Sequence, residues 1–165
     1  MAGRIHLAVV GGSEADDATC RRAEAVGGAL ARRGALLVCG GLGGVMEAAC
    51  RGARAAGGTT LGILPGADRR AANPFVDVVV PTGMGEARNA LVVLCADALV
   101  AVGGEFGTLS EIALALRSGK PVVGLDTWEL GRNGRAVDAI VPATSPEQAV
   151  DLALGLATAS RDDAR

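Results

Sequence analysis

The sequence has almost no aromatic character. Its 165 residues include Phe75, Phe106 and Trp128 and no tyrosine. Base stacking on an aromatic platform, the usual route to single-stranded nucleic acid, therefore lacks its parts. The net charge is only −2, so no basic nucleic-acid-binding surface is indicated either. Histidine occurs once, as His6 in an apolar run, and Cys20, Cys39, Cys50 and Cys95 show no CxxC spacing. This argues against a metal site and against a disulfide framework; such cysteines belong in a core. Long apolar runs are missing as well. The N-terminal run ends at Gly11, too short for a signal-peptide core. The longest block, Ala90 to Val102, carries Asp97 and falls short of the ~20 residues a spanning helix needs. The expectation is a soluble cytoplasmic protein with no membrane or nucleic-acid partner and with small-ligand binding open.

What is present is glycine, 25 residues of it, in a chain that is half hydrophobic. That length and composition suit one domain with a single large core. Short apolar runs at Ile5 to Val10, Ala35 to Cys39, Thr59 to Leu64, Val76 to Val80, Asp97 to Val102 and Val122 to Leu125 read as strands. Between them lie helical stretches. Ser13, answered by Asp16, is expected to cap a helix that runs to Arg33 and stops at Gly34. Further helices are expected over Val45 to Ala56, Met84 to Ala96, from near Thr108 to Gly119, and from Ser145-Pro146 onward. Trp128 to Arg135 reads as an exposed loop and Ala139 to Val141 as a short edge strand, with residues 160–165 a charged, frayed tail. Continuous apolar runs alternating with helices predict an α/β fold: a Rossmann-like, doubly wound, mostly parallel sheet with helices on both faces, forming a single domain over residues 1–159. Ligands of such sheets bind beyond the carboxyl ends of the strands.

Two glycine loops fall at that end. In Val102-Gly103-Gly104-Glu105-Phe106-Gly107-Thr108-Leu109-Ser110-Glu111, three glycines in five positions strip Cβ atoms from the main chain just before a helix. The free first-turn amides of a helix form an anion site. The turn would then cradle a phosphate, with the Glu111 carboxylate aimed across it. The same residues also fit a capping box, Thr108-x-x-Glu111, which alone would account for both. The second loop, Gly40 to Gly44 followed by Val45 and Met46, either offers more amides to a ligand or only shapes a tight turn. Arg88, at the head of an apolar helix, either snorkels to solvent or reaches over the strand ends toward a phosphate or Glu111; Asn89 beside it can donate to a base or ribose. Glu47 and Glu105 are expected to face outward, since they would repel an anion. A dinucleotide fingerprint is missing, because the first loop is Gly11-Gly12-Ser13-Glu14, and no G-K-[ST] marks a P-loop.

Taken together, Gly103-Gly104-x-x-Gly107-Thr108-x-x-Glu111, Gly40-Gly41-x-x-Gly44-Val45-Met46 and Arg88 resemble the LOG (LONELY GUY) superfamily, over nearly the whole chain. The resemblance implies a homo-oligomer, a dimer or a tetramer, that binds a small phosphorylated ligand. It implies no resident metal and no required cofactor. In the phosphoribohydrolase branch, the N-glycosidic bond of a nucleoside 5′-monophosphate is cut. Carried over by motif, Gly41, Gly43, Gly44, Met46, Asn89, Gly103, Gly104, Gly107 and Thr108 would bind the ligand, and Arg88 with Glu111 would be the catalytic pair. The hydrolase motif begins Pro-Gly-Gly and follows its Arg with Lys; here Val102 and Asn89 stand in those places, and Glu47 follows Met46 where the hydrolases tend to have Gly. Those features, with Gly83-Met84-Gly85-x-x-Arg88-Asn89, look more like the short branch that includes the molybdenum-cofactor carrier protein. For that branch the ligand is molybdopterin-type, and binding without catalysis is the alternative.

Overall fold

Each apolar run becomes a strand, because a run without alternation has two faces to bury. In the computed structural model, which describes residues 3–163, these are β1 (His6–Val10), β2 (Leu36–Cys39), β3 (Thr60–Leu64), β4 (Val78–Pro81), β5 (Ala98–Val102) and β6 (Val122–Leu125). A seventh, β9 (Val141–Pro142), follows a two-residue pair, β7 (Gly131–Arg132) and β8 (Arg135–Ala136). The sheet order is β4-β3-β2-β1-β5-β6-β9 and every pairing in it is parallel. The order reverses at β1, which lies between β2 and β5, and this is where a doubly wound sheet opens a crevice.

The two faces of β1 supply two cores. Leu7 and Val9 pack with α1 (Asp17–Arg32), α2 (Val45–Ala55) and α5 (Pro146–Asp163). Ala8 and Val10 pack with α3 (Asn89–Leu94) and α4 (Phe106–Arg117). The α1–α2 crossing is close because it is made of glycine: a Cβ on Gly27 would strike the Ala49 carbonyl, and one on Gly52 the Glu24 carbonyl.

Several expectations are corrected. Asp16, not Ser13, caps α1, its carboxylate accepting from the Thr19 amide at 2.7 Å, so Ser13 is left free in the loop. The Met84 to Ala96 stretch divides into a 3₁₀ turn at Gly85–Arg88 and the shorter α3, since Gly83 and Gly85 hold φ of 65° and 58°, outside helical geometry. The loop expected at Trp128 to Arg135 contains the β7–β8 hairpin, turned by Asn133 and Gly134 at φ 53° and 73°. Asn-Gly suits this turn because both residues tolerate positive φ. The last strand lies at Val141–Pro142, one step beyond the expected Ala139 to Val141. Helix α5 does not fray at Ser160 but continues to Asp163. Arg161 pins that end, pairing with Asp97 at 2.7 Å and donating to the carbonyls of Gly3 and Arg4. Residues 164–165 lie outside the described chain. Among the described residues no helix is long and apolar enough to cross a membrane.

Candidate functional site

Three strand-to-helix loops converge beside β1: Gly11 to Glu14 after β1, Gly40 to Gly44 after β2, and Gly103 to Glu105 after β5. Together with Pro65 after β3 and the turn before α3, they bound a cleft of about 520 Å³. Six of the residues singled out from sequence line it: Met46, Arg88, Asn89, Gly107, Thr108 and Glu111. Gly41, Gly43, Gly44, Gly103 and Gly104 do not line it; they build its walls.

The wall-building is specific. A Cβ on Gly40 would lie 2.7–2.8 Å from both terminal nitrogens of Arg88 and from the Met46 sulfur, so this glycine makes room for the guanidinium. Gly41 packs on Gly62 and Leu64 of β3, while Gly44, at φ 60°, presses on the main chain of Gly12 and Ser13. The Val45 amide donates to the Gly12 carbonyl at 3.0 Å. The Gly40 to Gly44 loop therefore supports the Gly11 to Glu14 loop, which faces the cleft. Gly104, at φ 118°, allows the Thr108 side chain to fold back against it, and Gly103 is tied to Leu125 and Thr127.

The capping-box reading of Thr108 and Glu111 does not hold. Helix α4 begins earlier, at Phe106, with Glu105 as its N-cap and no side-chain capping bond. Thr108 is the third residue of the helix and Glu111 the sixth, and both are buried. The first-turn amides of α4 thus have no side-chain partner, and two of the residues that carry them, Gly107 and Thr108, line the cleft. Gly107 differs from the glycines of the three converging loops: its φ is ordinary and a Cβ would meet no described protein atom within 4 Å. Nothing in the protein requires glycine there.

Arg88 and Glu111 meet across the cleft floor. Their side chains are 9% and 8% exposed, and Arg88 Nη1 lies 3.7 Å from Glu111 Oε1, a charge contact beyond hydrogen-bond reach. Arg88 Nη1 instead donates to Asn89 Oδ1 at 2.6 Å. Asn89 Nδ2 donates to Ser110 Oγ at 3.0 Å, and Ser110 Oγ donates to the Gly107 carbonyl at 2.7 Å. Among the described residues, Arg88 Nε is buried with no partner. Burial pushes Glu111 up to about 7 against the pull of Arg88, and burial likewise lowers Arg88 despite the carboxylate. Snorkelling of Arg88 to solvent is ruled out by its burial.

Some cleft residues carry no local sequence signal. Gly11, Gly12, Ser13 and Glu14 line the cleft, although their loop carries no dinucleotide fingerprint. The signal that finds them is topological: β1 borders the switch point, so its loop must face the crevice. Leu42, Pro65 and Glu86 join them. Glu105, expected to face outward, also lines the cleft, because as N-cap it is carried to the rim by the turn. Cys39 is fully buried, its sulfur 3.5 Å from that of Cys50 and accepting from the Gly41 amide, so it offers no exposed nucleophile.

The same fold carries solved relatives. The molybdenum cofactor binding protein of Rippkaea orientalis is 33% identical, with a TM-score of 0.83 over 94% of this chain and 98% of that one. A Moco carrier protein from Chlamydomonas reinhardtii is 34% identical, with a TM-score of 0.81 over 95% and 99%. An uncharacterised protein of Archaeoglobus fulgidus is 46% identical over 121 residues, which span 73% of this chain and 80% of its own. With residues 4–150 matching its model, this chain belongs to the SLOG cluster4 family.

Proposed function

We propose that this protein binds and carries a small phosphorylated ligand of the molybdenum-cofactor type, without turning it over. The observation that carries the proposal is the unpartnered Arg88 Nε, a buried donor in the floor of a cleft bounded by the start of α4. A buried guanidinium donor without an acceptor costs stability, so its position suits an acceptor that arrives with the ligand. A phosphate group meets that donor and the open α4 amides together. Leu42, Met46 and Pro65 give the cleft an apolar wall for the flat remainder of such a ligand. The similarity to Moco-binding and Moco carrier proteins supports the same reading. A homodimer or homotetramer remains part of it, supported by the exposed Met84, Leu94 and Phe106 side chains.

Asn89 separates this site from the hydrolases the sequence resembles. A lysine in its place has no acceptor and cannot accept the hydrogen bond from Arg88 Nη1. The hydrolase reading keeps one observation in its favour: a carboxyl pushed up to about 7 beside an arginine is poised for general acid–base work. One experiment weighs both. The purified protein is incubated with molybdenum cofactor released from a molybdoenzyme, and separately with AMP and isopentenyladenosine monophosphate. Retention of the cofactor on ultrafiltration, lost in Arg88→Ala, with no free base from either nucleotide, is the expected result. Base release that disappears in Glu111→Gln establishes the hydrolase instead, and no retention of any of the three overturns the carrier reading.

A further inference from the structure

We propose that Ser110, acting through Asn89, is a positioning residue that holds Arg88 off Glu111, so that the two groups face the cleft separately instead of closing into a direct ion pair. Two opposite charges on buried side chains ordinarily close to hydrogen-bond distance, since a charge removed from water is tolerated only when paired. Here they stop at 3.7 Å. The strap that stops them is directional at every link. Arginine can only donate, so Asn89 must turn its oxygen to Arg88 and its nitrogen to Ser110. Ser110 Oγ accepts that bond and spends its own proton on the Gly107 carbonyl, one turn back in α4. Arg88 is thereby tied to the same helical turn that offers the free amides. Its Nε is left without an acceptor and Glu111 without a hydrogen bond.

The charged groups around Glu111 leave Arg88 as the decisive one. The end of β2 contributes the Cys39 thiol behind Gly40, the turn before α3 contributes Glu86, and Glu14 and Glu105 line the same cleft. None of these lowers a carboxyl. Cutting the strap frees Arg88 to rotate onto Glu111, and a cation in contact stabilises the carboxylate. The proposal rests on the ligand-binding reading of the cleft, yet its main test needs no ligand.

The test follows the Glu111 carboxyl carbon by 13C NMR against pH in full-length protein, assigned by its disappearance in Glu111→Gln. In the wild type it titrates near neutral pH. In Ser110→Ala, and independently in Asn89→Leu, the midpoint falls by about one pH unit or more, the usual effect of an opposite charge in contact. Ser110→Thr, which keeps the hydroxyl, restores the wild-type midpoint. A structural role for Ser110 lowers the melting temperature and leaves the midpoint in place, so an unmoved midpoint in folded Ser110→Ala and Asn89→Leu overturns the proposal. A second arm measures AMP by equilibrium dialysis, with affinity expected to fall about tenfold in Ser110→Ala, a loss of about 1.4 kcal/mol. A midpoint that moves while the wild type binds no phosphorylated probe upholds the strap and overturns only the ligand reading.

Discussion

The two glycine loops look alike in sequence and do opposite work. The Gly40 to Gly44 loop turns its glycines inward: Gly40 against Arg88, Gly41 against β3, and Gly44 against the main chain of Gly12 and Ser13. Their missing side chains are replaced by protein atoms. At the Gly103 to Gly107 turn the sequence of roles changes along the chain. Gly103 and Gly104 are needed for positive φ and for the fold-back of Thr108, but Gly107 needs neither. Its missing side chain is replaced by nothing in the protein, and it borders the cleft. A run of glycines thus carries two meanings, packing and access, and only the atoms around each Cα separate them.

The largest test of this division concerns the charges each loop holds. The Gly40 loop seats Arg88 and the α4 turn carries Glu111, whose burial raises it from an ordinary 4.5 to about 7. The folded state therefore binds more protons than the unfolded state between those values, and stability falls as pH rises through that window. Below about pH 4.5 the effect vanishes; above about pH 7 it is fully present, costing on the order of 3 kcal/mol. Glu111→Gln should flatten the pH dependence and raise stability at pH 8, read from urea midpoints at pH 5 to 8. Equal slopes in the two proteins would mean that Glu111 is ionised without cost.

Gly40→Ala comes next. Its methyl meets the Arg88 guanidinium and the Met46 sulfur, and overpacking of this kind costs about 1–3 kcal/mol. Displacing Arg88 should also abolish retention of a phosphorylated ligand. A variant as stable and as tightly binding as the wild type would break the claim that this loop seats the arginine. The smallest effect is the most discriminating. Gly107→Ala should add about 0.5–1 kcal/mol of stability, because alanine suits a helix better than glycine and has space here. It should weaken ligand binding at the same time. Gain in melting temperature with unchanged affinity would show that Gly107 is not on the approach path.

Much of the fold was legible because short apolar runs and glycine stops follow from local chemistry. The strands, the parallel order and the carboxyl-end location of the site needed only periodicity and the rule for doubly wound sheets. Boundaries were less legible where two local signals compete. Ser13 and Asp16 are both good caps, and the bond from the Thr19 amide decided for Asp16. Thr108 and Glu111 satisfy a capping pattern, but α4 starts two residues earlier, so the pattern has no free amide to act on. The Gly11 loop matches no fingerprint, and only its place beside β5 puts it at the crevice. Charge alone points Glu105 outward, and chain geometry carries it to the rim.

By itself the sequence determined the layered α/β architecture and the end of the sheet where the cleft lies, and it singled out Arg88 and Glu111, which line that cleft. Those depend on local preference and on residue chemistry, which are written along the chain. Only the tertiary structure decided which glycines pack against protein atoms and which border the cleft, that Arg88 is hydrogen-bonded to Asn89 and not to Glu111, and that its buried Nε has no partner among the described residues. Each of these is a distance between residues far apart in sequence, fixed by how the loops pack on one another, and no pattern along the chain encodes it.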